Sequence, residues 1–356
     1  MSVEKFIRKP LSEWMKQELP EHDIVISSRI RLARNLRNLP FPLLAVDSQA
    51  EEVIQTFESL LKREPLPGLG KLELFRMDQL SALEKKVLVE KHLISPQLAE
   101  ESRKGAIIIS ENEDVSIMLN EEDHIRIQCL YPGFQIKEAW QKANLIDDWL
   151  EKELDYAFDE RYGYLTSCPT NVGTGIRASV MVHLPALVMT KQINRILVAM
   201  NQVGLTVRGI YGEGSEALGN LFQISNQITL GQSEEEIIDH LNNVVRQVID
   251  HERSAREMLV GSMRLQLEDK IHRSFGILSH ARTIESKEAT ARLSDVLLGV
   301  DLGMIKNIPP AELNELWVML QPAFLQTYFS ENLSPEMRDE RRATLIREHL
   351  NKYKNR

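Results

Sequence analysis

The chain has 356 residues, a formal net charge of -9 and two cysteines. That length can hold a large core and two domains, and the acidic balance argues against a general nucleic-acid binder. Cys129 and Cys168 are too few for a disulfide framework, the N-terminus is mixed and charged, and no apolar run is long enough to cross a bilayer; a soluble cytoplasmic protein without a membrane or nucleic-acid partner is expected.

In chain order, residues 10–19 read as a short helix ended by Pro20. Residues 23–35 read as an extended segment that breaks at Ser27 and Ser28. Within it Arg29 and Arg31 share a strand face, which taken alone is most often solvated. Residues 50–63 have helical spacing, residues 65–70 form a breaker-rich loop, and residues 81–92 read as a second helix. A run over 106–109 and alternations at Val115, Ile117, Leu119 and at Ile125, Ile127, Cys129 make an antiparallel meander. On the polar side of its third strand, Glu122 and Arg126 are expected about 13 Å apart at ~3.3 Å per residue. Residues 137–158 form a long amphipathic helix. A short strand over 164–167, a polar loop, a strand over 178–184 and a helix over 186–200 follow. Strands are expected over 205–210 and 221–230, and Ser233 caps a further helix. Beyond about residue 260 the pattern is almost all helical, with breaks at Pro309, Pro322 and Pro335. The expected fold is α+β: a mostly antiparallel sheet backed by helices over residues 1–258, then an all-α domain over 259–356.

The chemistry centres on the loop Cys168-Pro-Thr-Asn-Val-Gly-Thr-Gly-Ile-Arg177. It can turn backbone N–H groups and a guanidinium toward an anion. The stretch Gly212 to Ala217 fits a loose dinucleotide fingerprint, but a strand near Leu221 leaves no room for the helix that fingerprint needs. What survives is Arg29, Arg31, Arg126, Arg177 and Arg208 together with Glu122 and Glu213. Several arginines clamp a triphosphate, and magnesium bridging its oxygens needs no dedicated protein ligands. Two glutamates suit a cationic acceptor. A guanidinium, with a pKa above about 12, is a poor nucleophile, so a carboxylate must orient it and take a proton. Cys168, if ionised among arginines, adds a third negative contact; the commoner fate of a free cysteine is a small buried hydrophobe.

These motifs resemble those of the phosphagen kinases, the guanidino kinases that include arginine and creatine kinase. Ser28-Arg29-Ile30-Arg31, Asn120-Glu-Glu122-Asp-His-Ile-Arg126, the Cys168 loop and Arg208-Gly-Ile-Tyr-Gly-Glu213 recur there in this order, over roughly residues 20–255. The resemblance implies that Ser28, Arg29, Arg31, Arg126, Arg177 and Arg208 hold the phosphates of ATP. It also implies that Glu122 and Glu213 hold the guanidinium, with Glu122 as base, that Cys168 contacts the acceptor, and that His92 lies near the adenine. Met181 stands where the family usually has a histidine, and Gln223 where it has an aspartate. The small helical domain that precedes the core in phosphagen kinases is expected to be absent, which would open the acceptor side to an arginine within a polypeptide.

With its helical tail the chain is similar to the bacterial protein arginine kinases. In that family an Arg-Asp-x-x-Arg-Ala motif binds phosphoarginine allosterically. Here it reads Arg338-Asp339-Glu340-Arg341-Arg342-Ala343, with Arg338, Arg341 and Arg342 expected on one helix face as a phosphate clamp. On spacing alone a solvated charged helix would be preferred. The expected activity is MgATP-dependent phosphorylation of arginine in proteins. By resemblance it serves a stress-response repressor and a Clp-type ATPase and protease system, with a separate activator. A homodimer through the tail is expected. The alternatives are a kinase of free arginine or another small guanidine, and a phosphoarginine-reading adaptor.

Overall fold

The computed structural model describes residues 3–12, 15, 19, 21–63, 69–102, 104–209 and 218–353. Its strands are β1 Val25–Arg34, β2 Leu72–Arg76, β3 Ala106–Ser110, β4 Val115–Leu119, β5 Ile125–Pro132, β6 Phe158–Asp159, β7 Gly163–Tyr164, β8 Ile176–His183, β9 Leu205–Gly209 and β10 Leu221–Asn226. Its helices are α1 Glu4–Arg8, α2 Asp47–Arg63, α3 Ala82–Glu90, α4 Pro96–Glu100, α5 Ile136–Glu153, α6 Pro185–Met189 and α7 Ile193–Gln202. They continue with α8 Glu234–Ser262, α9 Arg264–His280, α10 Ser286–Asp301, α11 Pro310–Met319, α12 Pro322–Phe329 and α13 Pro335–Asn351.

One eight-stranded sheet, in the order β2-β3-β4-β5-β1-β8-β10-β9, carries the site. Every neighbouring pair in it is antiparallel. Its two faces differ because side chains alternate. Ile30 and Leu32 of β1, Ile127 and Cys129 of β5, and Ala178 and Val180 of β8 are fully buried on one face. Helices α5 and α8 back that face. The opposite face carries Arg29, Arg31, Arg126 and Arg177. Register brings these together: Arg31 lies opposite Gln128 on one side and Arg177 on the other, Ala33 opposite Arg126, and Arg208 opposite Gln223.

Several expectations are corrected. Of residues 10–19, Pro10 to Ser12 are not helical, most of the rest lie outside the described residues, and the helix is α1, earlier. Strand β1 does not break at its serines. The Ser28 hydroxyl donates to the Gly133 carbonyl at 2.9 Å and accepts from the Gln135 N–H at 3.0 Å, and a bulge between Val25 and Ser27 absorbs the irregularity. Strand β2 escaped the alternation reading because its buried positions are Phe75 and an acid, Glu73, paired with Lys5 at 2.6 Å and Lys71 at 3.2 Å. The helix expected over 186–200 is two, separated at Lys191, whose φ is +60°. Helix α5 stops at Glu153 and β10 at Asn226, both earlier than expected.

The C-terminal helices pack on the sheet domain. Helix α10 touches α6, α9, α11 and the 3-10 turn Leu218–Asn220, and α12 touches α1 and α3. Helix α8 runs unbroken through residue 258.

Candidate active site

The polar face of the sheet floors a cavity of about 560 Å³, lined by Arg29, Arg31, Arg126 and Arg208. Neutral groups are the nearest partners of Arg29: its Nη2 donates to Gln223 Oε1 at 2.5 Å and its Nε to Ser179 Oγ at 3.3 Å. Burial, then Arg126 and Arg177, lower the Arg29 pKa to about 10. Burial and three neighbouring arginines push Arg31 well below its usual value, with Glu121 opposing. Among the described residues the buried Arg31 Nε meets no acceptor. Mutually repelling guanidiniums facing a cavity make a site that a polyanion would relax.

A carboxylate turn adjoins this fan. Asn120 takes a left-handed φ of +54° and anchors the turn, its Nδ2 donating to the Ala50 and Lys104 carbonyls at 2.8 and 2.9 Å. Glu121 is buried. Its Oε1 accepts from Arg126 Nη1 at 2.6 Å and Ser95 Oγ at 2.5 Å, and its Oε2 from the Glu122 N–H at 2.9 Å. Glu122 Oε2 lies 2.9 Å from Arg126 Nη2. The expected separation of about 13 Å is therefore wrong. Glu122 sits in the turn before β5, and the chain folds it back over Arg126. Burial, and after it Asp123 and Glu121, raise the Glu122 pKa, while Arg126 pulls it down.

Asp123 ties this turn to the loop carrying Cys168. Its Oδ1 accepts from Asn35 Nδ2 at 2.6 Å and from the Ser167 N–H at 2.7 Å. Cys168 precedes the 3-10 turn Pro169–Asn171, half-buried, with Sγ 3.0 Å from Thr170 Oγ1. The buried-hydrophobe description fits Cys129 instead, whose thiol burial pushes well up. The far end of the loop closes on β1. Gly175 has φ +66°, and a Cβ there would sit 2.6 Å from the Ala33 carbonyl and from Arg34 Nη1. Arg34 is itself buried, donating to Asp147 of α5 at 2.6 Å and to the Thr174 carbonyl at 2.9 Å.

His92 lines the cavity at the end of α3 with φ +59°; burial, then Arg29, lower its pKa to about 4, so it is neutral near pH 7. Its carbonyl accepts from Gln128 Nε2 at 2.8 Å. Ser28 does not line the cavity: alternation turns its hydroxyl into the opposite face, against the chain entering α5. Glu213 lies outside the described residues. Five residues also reach the cavity from the helical tail: Thr290, Asn314, Trp317, Val318 and Gln321.

Residues 52–255 match the family described as ATP:guanido phosphotransferase, C-terminal catalytic domain. Residues 264–356 match the protein-arginine kinase McsB C-terminal domain. Over 350 residues, 98% of each chain, the protein is 64% identical to a protein-arginine kinase of Brevibacillus brevis. The chain belongs to the protein-arginine kinase family. A protein-arginine kinase of Bacillus subtilis is 60% identical, over 98% of this chain and 96% of that one. Among solved structures, lombricine kinase aligns with a TM-score of 0.57 at 26% identity, covering 68% of this chain and 69% of that one. The duplicated taurocyamine kinase from Schistosoma mansoni aligns at 0.60 with 23% identity, over 72% of this chain and 38% of that one, a likeness of fold alone.

For this member of the protein-arginine kinases, the tail motif does not form the open clamp expected. Arg342 points inward, 2% exposed, with Nε donating to the Leu320 carbonyl at 3.2 Å, Nη1 to that of Ile284 at 2.8 Å, and Asp339 beside it. Arg341 points outward, paired with Glu331 at 3.0 Å. The i, i+3, i+4 spacing was a fair guide to proximity, but it did not reveal that one member plugs the helix into its neighbours. Sequence reasoning also passed over Glu121, Asp123 and Arg34. Their adjacency in the chain to Glu122 and Arg31 is the signal that points to them. No helix among the described residues is long and apolar enough to cross a membrane.

Proposed function

We propose that this protein transfers the terminal phosphoryl group of MgATP to the guanidinium of arginine side chains in proteins. The observation that carries the reading is Glu122 held by Arg126 and Glu121 at the rim of the arginine fan. Arg29, Arg31, Arg126, Arg177 and Arg208 bind the phosphates. Magnesium would arrive with ATP and would neutralise phosphate charge there; among the described residues Glu121 and Glu122 are both engaged by Arg126. Glu122, with Glu213 and Cys168 as further contacts, aims a guanidinium nitrogen at phosphorus. The N–P bond forms, the P–O bond to the departing diphosphate breaks, and the Glu122 carboxylate takes the guanidinium proton. Residues 1–258 do this chemistry, and residues 259–356 carry a phosphoarginine-responsive site at Arg338, Asp339 and Arg341, with Arg342 as its anchor. The same reading includes a homodimer, an activator, and the marking of proteins for a Clp-type protease or the inactivation of a repressor.

Incubation with MgATP and either casein or free arginine, followed by mass spectrometry under non-acidic conditions, tests the reading. Acid-labile, base-stable phosphate on casein arginines is expected. Phosphate on the free amino acid alone would overturn it in favour of a small-guanidine kinase, and none on either would favour an adaptor.

A further inference from the structure

The end of the cavity away from Glu122 is roofed by the helical tail. On β8, Arg177, Ser179, Met181 and His183 share one face, in register with Arg31, Arg29, Ser27 and Leu221 respectively. Along β8 this face changes from cationic to apolar over about 13 Å from Arg177 to Met181 at ~3.3 Å per residue, while Arg208 keeps a cation two strands away, in register with Gln223. Met181 and Leu221 line the apolar end. Over them stands α11. Trp317 packs edge-on against the buried His183 ring, centroids 5.9 Å apart at 75°, and so is fixed in orientation. Asn314, one turn earlier, is only 6% exposed.

Both α11 side chains line the cavity, and both have a buried polar atom with no hydrogen-bond partner among the described residues: Asn314 Oδ1, an acceptor, and Trp317 Nε1, a donor. Buried polar atoms in folded proteins are nearly always paired, so two orphans of opposite sense beside one cavity point to a ligand with the complementary pair. They lie beyond the end of the fan that would hold phosphates, over an apolar floor that suits a flat ring.

We propose that Asn314 and Trp317 form the base subsite of the nucleotide. Asn314 Oδ1 accepts from the 6-amino group of adenine, and Trp317 Nε1–H donates to a neighbouring ring nitrogen. The inference rests on reading the cavity as an ATP site and adds that the helical tail completes it. A 6-oxopurine places an acceptor against Asn314 Oδ1 and is rejected.

The test uses the full-length protein, with KM for ATP and ITP and inhibition by inorganic tripolyphosphate measured side by side. Wild type should prefer ATP to ITP by about tenfold. Asn314→Ala should raise KM for ATP about tenfold and erase that preference, while tripolyphosphate inhibits as before. Trp317→Phe keeps the ring against His183 and removes only the N–H; it should also raise KM for ATP and serves if Asn314→Ala does not fold. Equal use of ATP and ITP by wild type, or a parallel loss of ATP and tripolyphosphate binding in the variants, would overturn the proposal. Failure of wild type to bind tripolyphosphate at all would instead remove the underlying nucleotide reading.

Discussion

Glu121 shows how a residue that touches neither substrate can control the chemistry. One oxygen holds Arg126 and the other holds the Glu122 backbone, so the proposed base and a proposed phosphate-binding cation share one support. Glu121→Ala should lower kcat by 10- to 100-fold with a smaller change in KM, because orientation is lost while the remaining arginines stay; steady-state kinetics against a protein substrate would show the split. Glu122→Gln removes the proton acceptor and should cost roughly 10²–10⁴ in kcat. Since burial raises the Glu122 pKa, the proposed base loses its proton at a higher pH than an ordinary carboxylate does. The wild-type rate should therefore rise with pH on the acidic side, and the Gln variant should lack this limb. At this scale the sequence was a good guide to residue type and a poor one to distance. Alternation placed Arg29 and Arg31 on one face of their strand and Arg126 on the polar side of another, as found, but extrapolating it into the turn misplaced Glu122, where backbone reversal replaces the strand rise.

Among the elements, β1 and α5 are locked through Arg34 and Asp147, with side-chain exposures of 1% and 6%. The same guanidinium holds the Thr174 carbonyl and lies 3.6 Å from the centre of the Tyr164 ring. This one cation thus fixes the helix behind the sheet and the loop in front of it. Asp147→Ala would leave a buried charge without its main partner and should destabilise by about 3–5 kcal/mol, read as a lower urea midpoint. The loss should exceed that from removing the exposed Arg37–Asp155 pair, where side chains are 55% and 59% exposed. Elements with a clean period were legible from sequence: α2, β3 to β5, and α8 with its capping box at Ser233 and Glu236. Strand β2 was not, because a buried ion pair stands where alternation expects an apolar residue.

The whole molecule is joined by carboxyls at the seam between sheet and tail. Glu90, at the end of α3, accepts the Ala323 and Phe324 N–H groups at the start of α12, both at 2.8 Å. Burial raises its pKa to about 7, with Lys86 and Arg338 opposing. Asp301 of α10 is likewise raised to about 7 by burial, despite Arg256 of α8 at 3.5 Å. A carboxyl whose folded pKa is raised binds its proton better in the native state, so its contribution is complete below the unfolded value and is lost as pH rises through about 7. Half-buried His92 and buried His124 and His183 are lowered by desolvation and act oppositely, losing stability as pH falls below their ordinary range. Thermal stability should therefore peak slightly on the acid side of neutrality and fall toward pH ~8, and Glu90→Gln with Asp301→Asn should flatten that fall in a melting series. The seam itself was not legible: helical texture announced a tail, but nothing in its periodicity said that α11 closes the cavity. A last consequence lies in the alternation of β1. Gaining or losing one residue beside Ile30 would rotate Arg29 or Arg31 by half a turn, into the oily layer against α5. Exchanging a letter there dims the site by degrees; changing the count of letters turns it inside out.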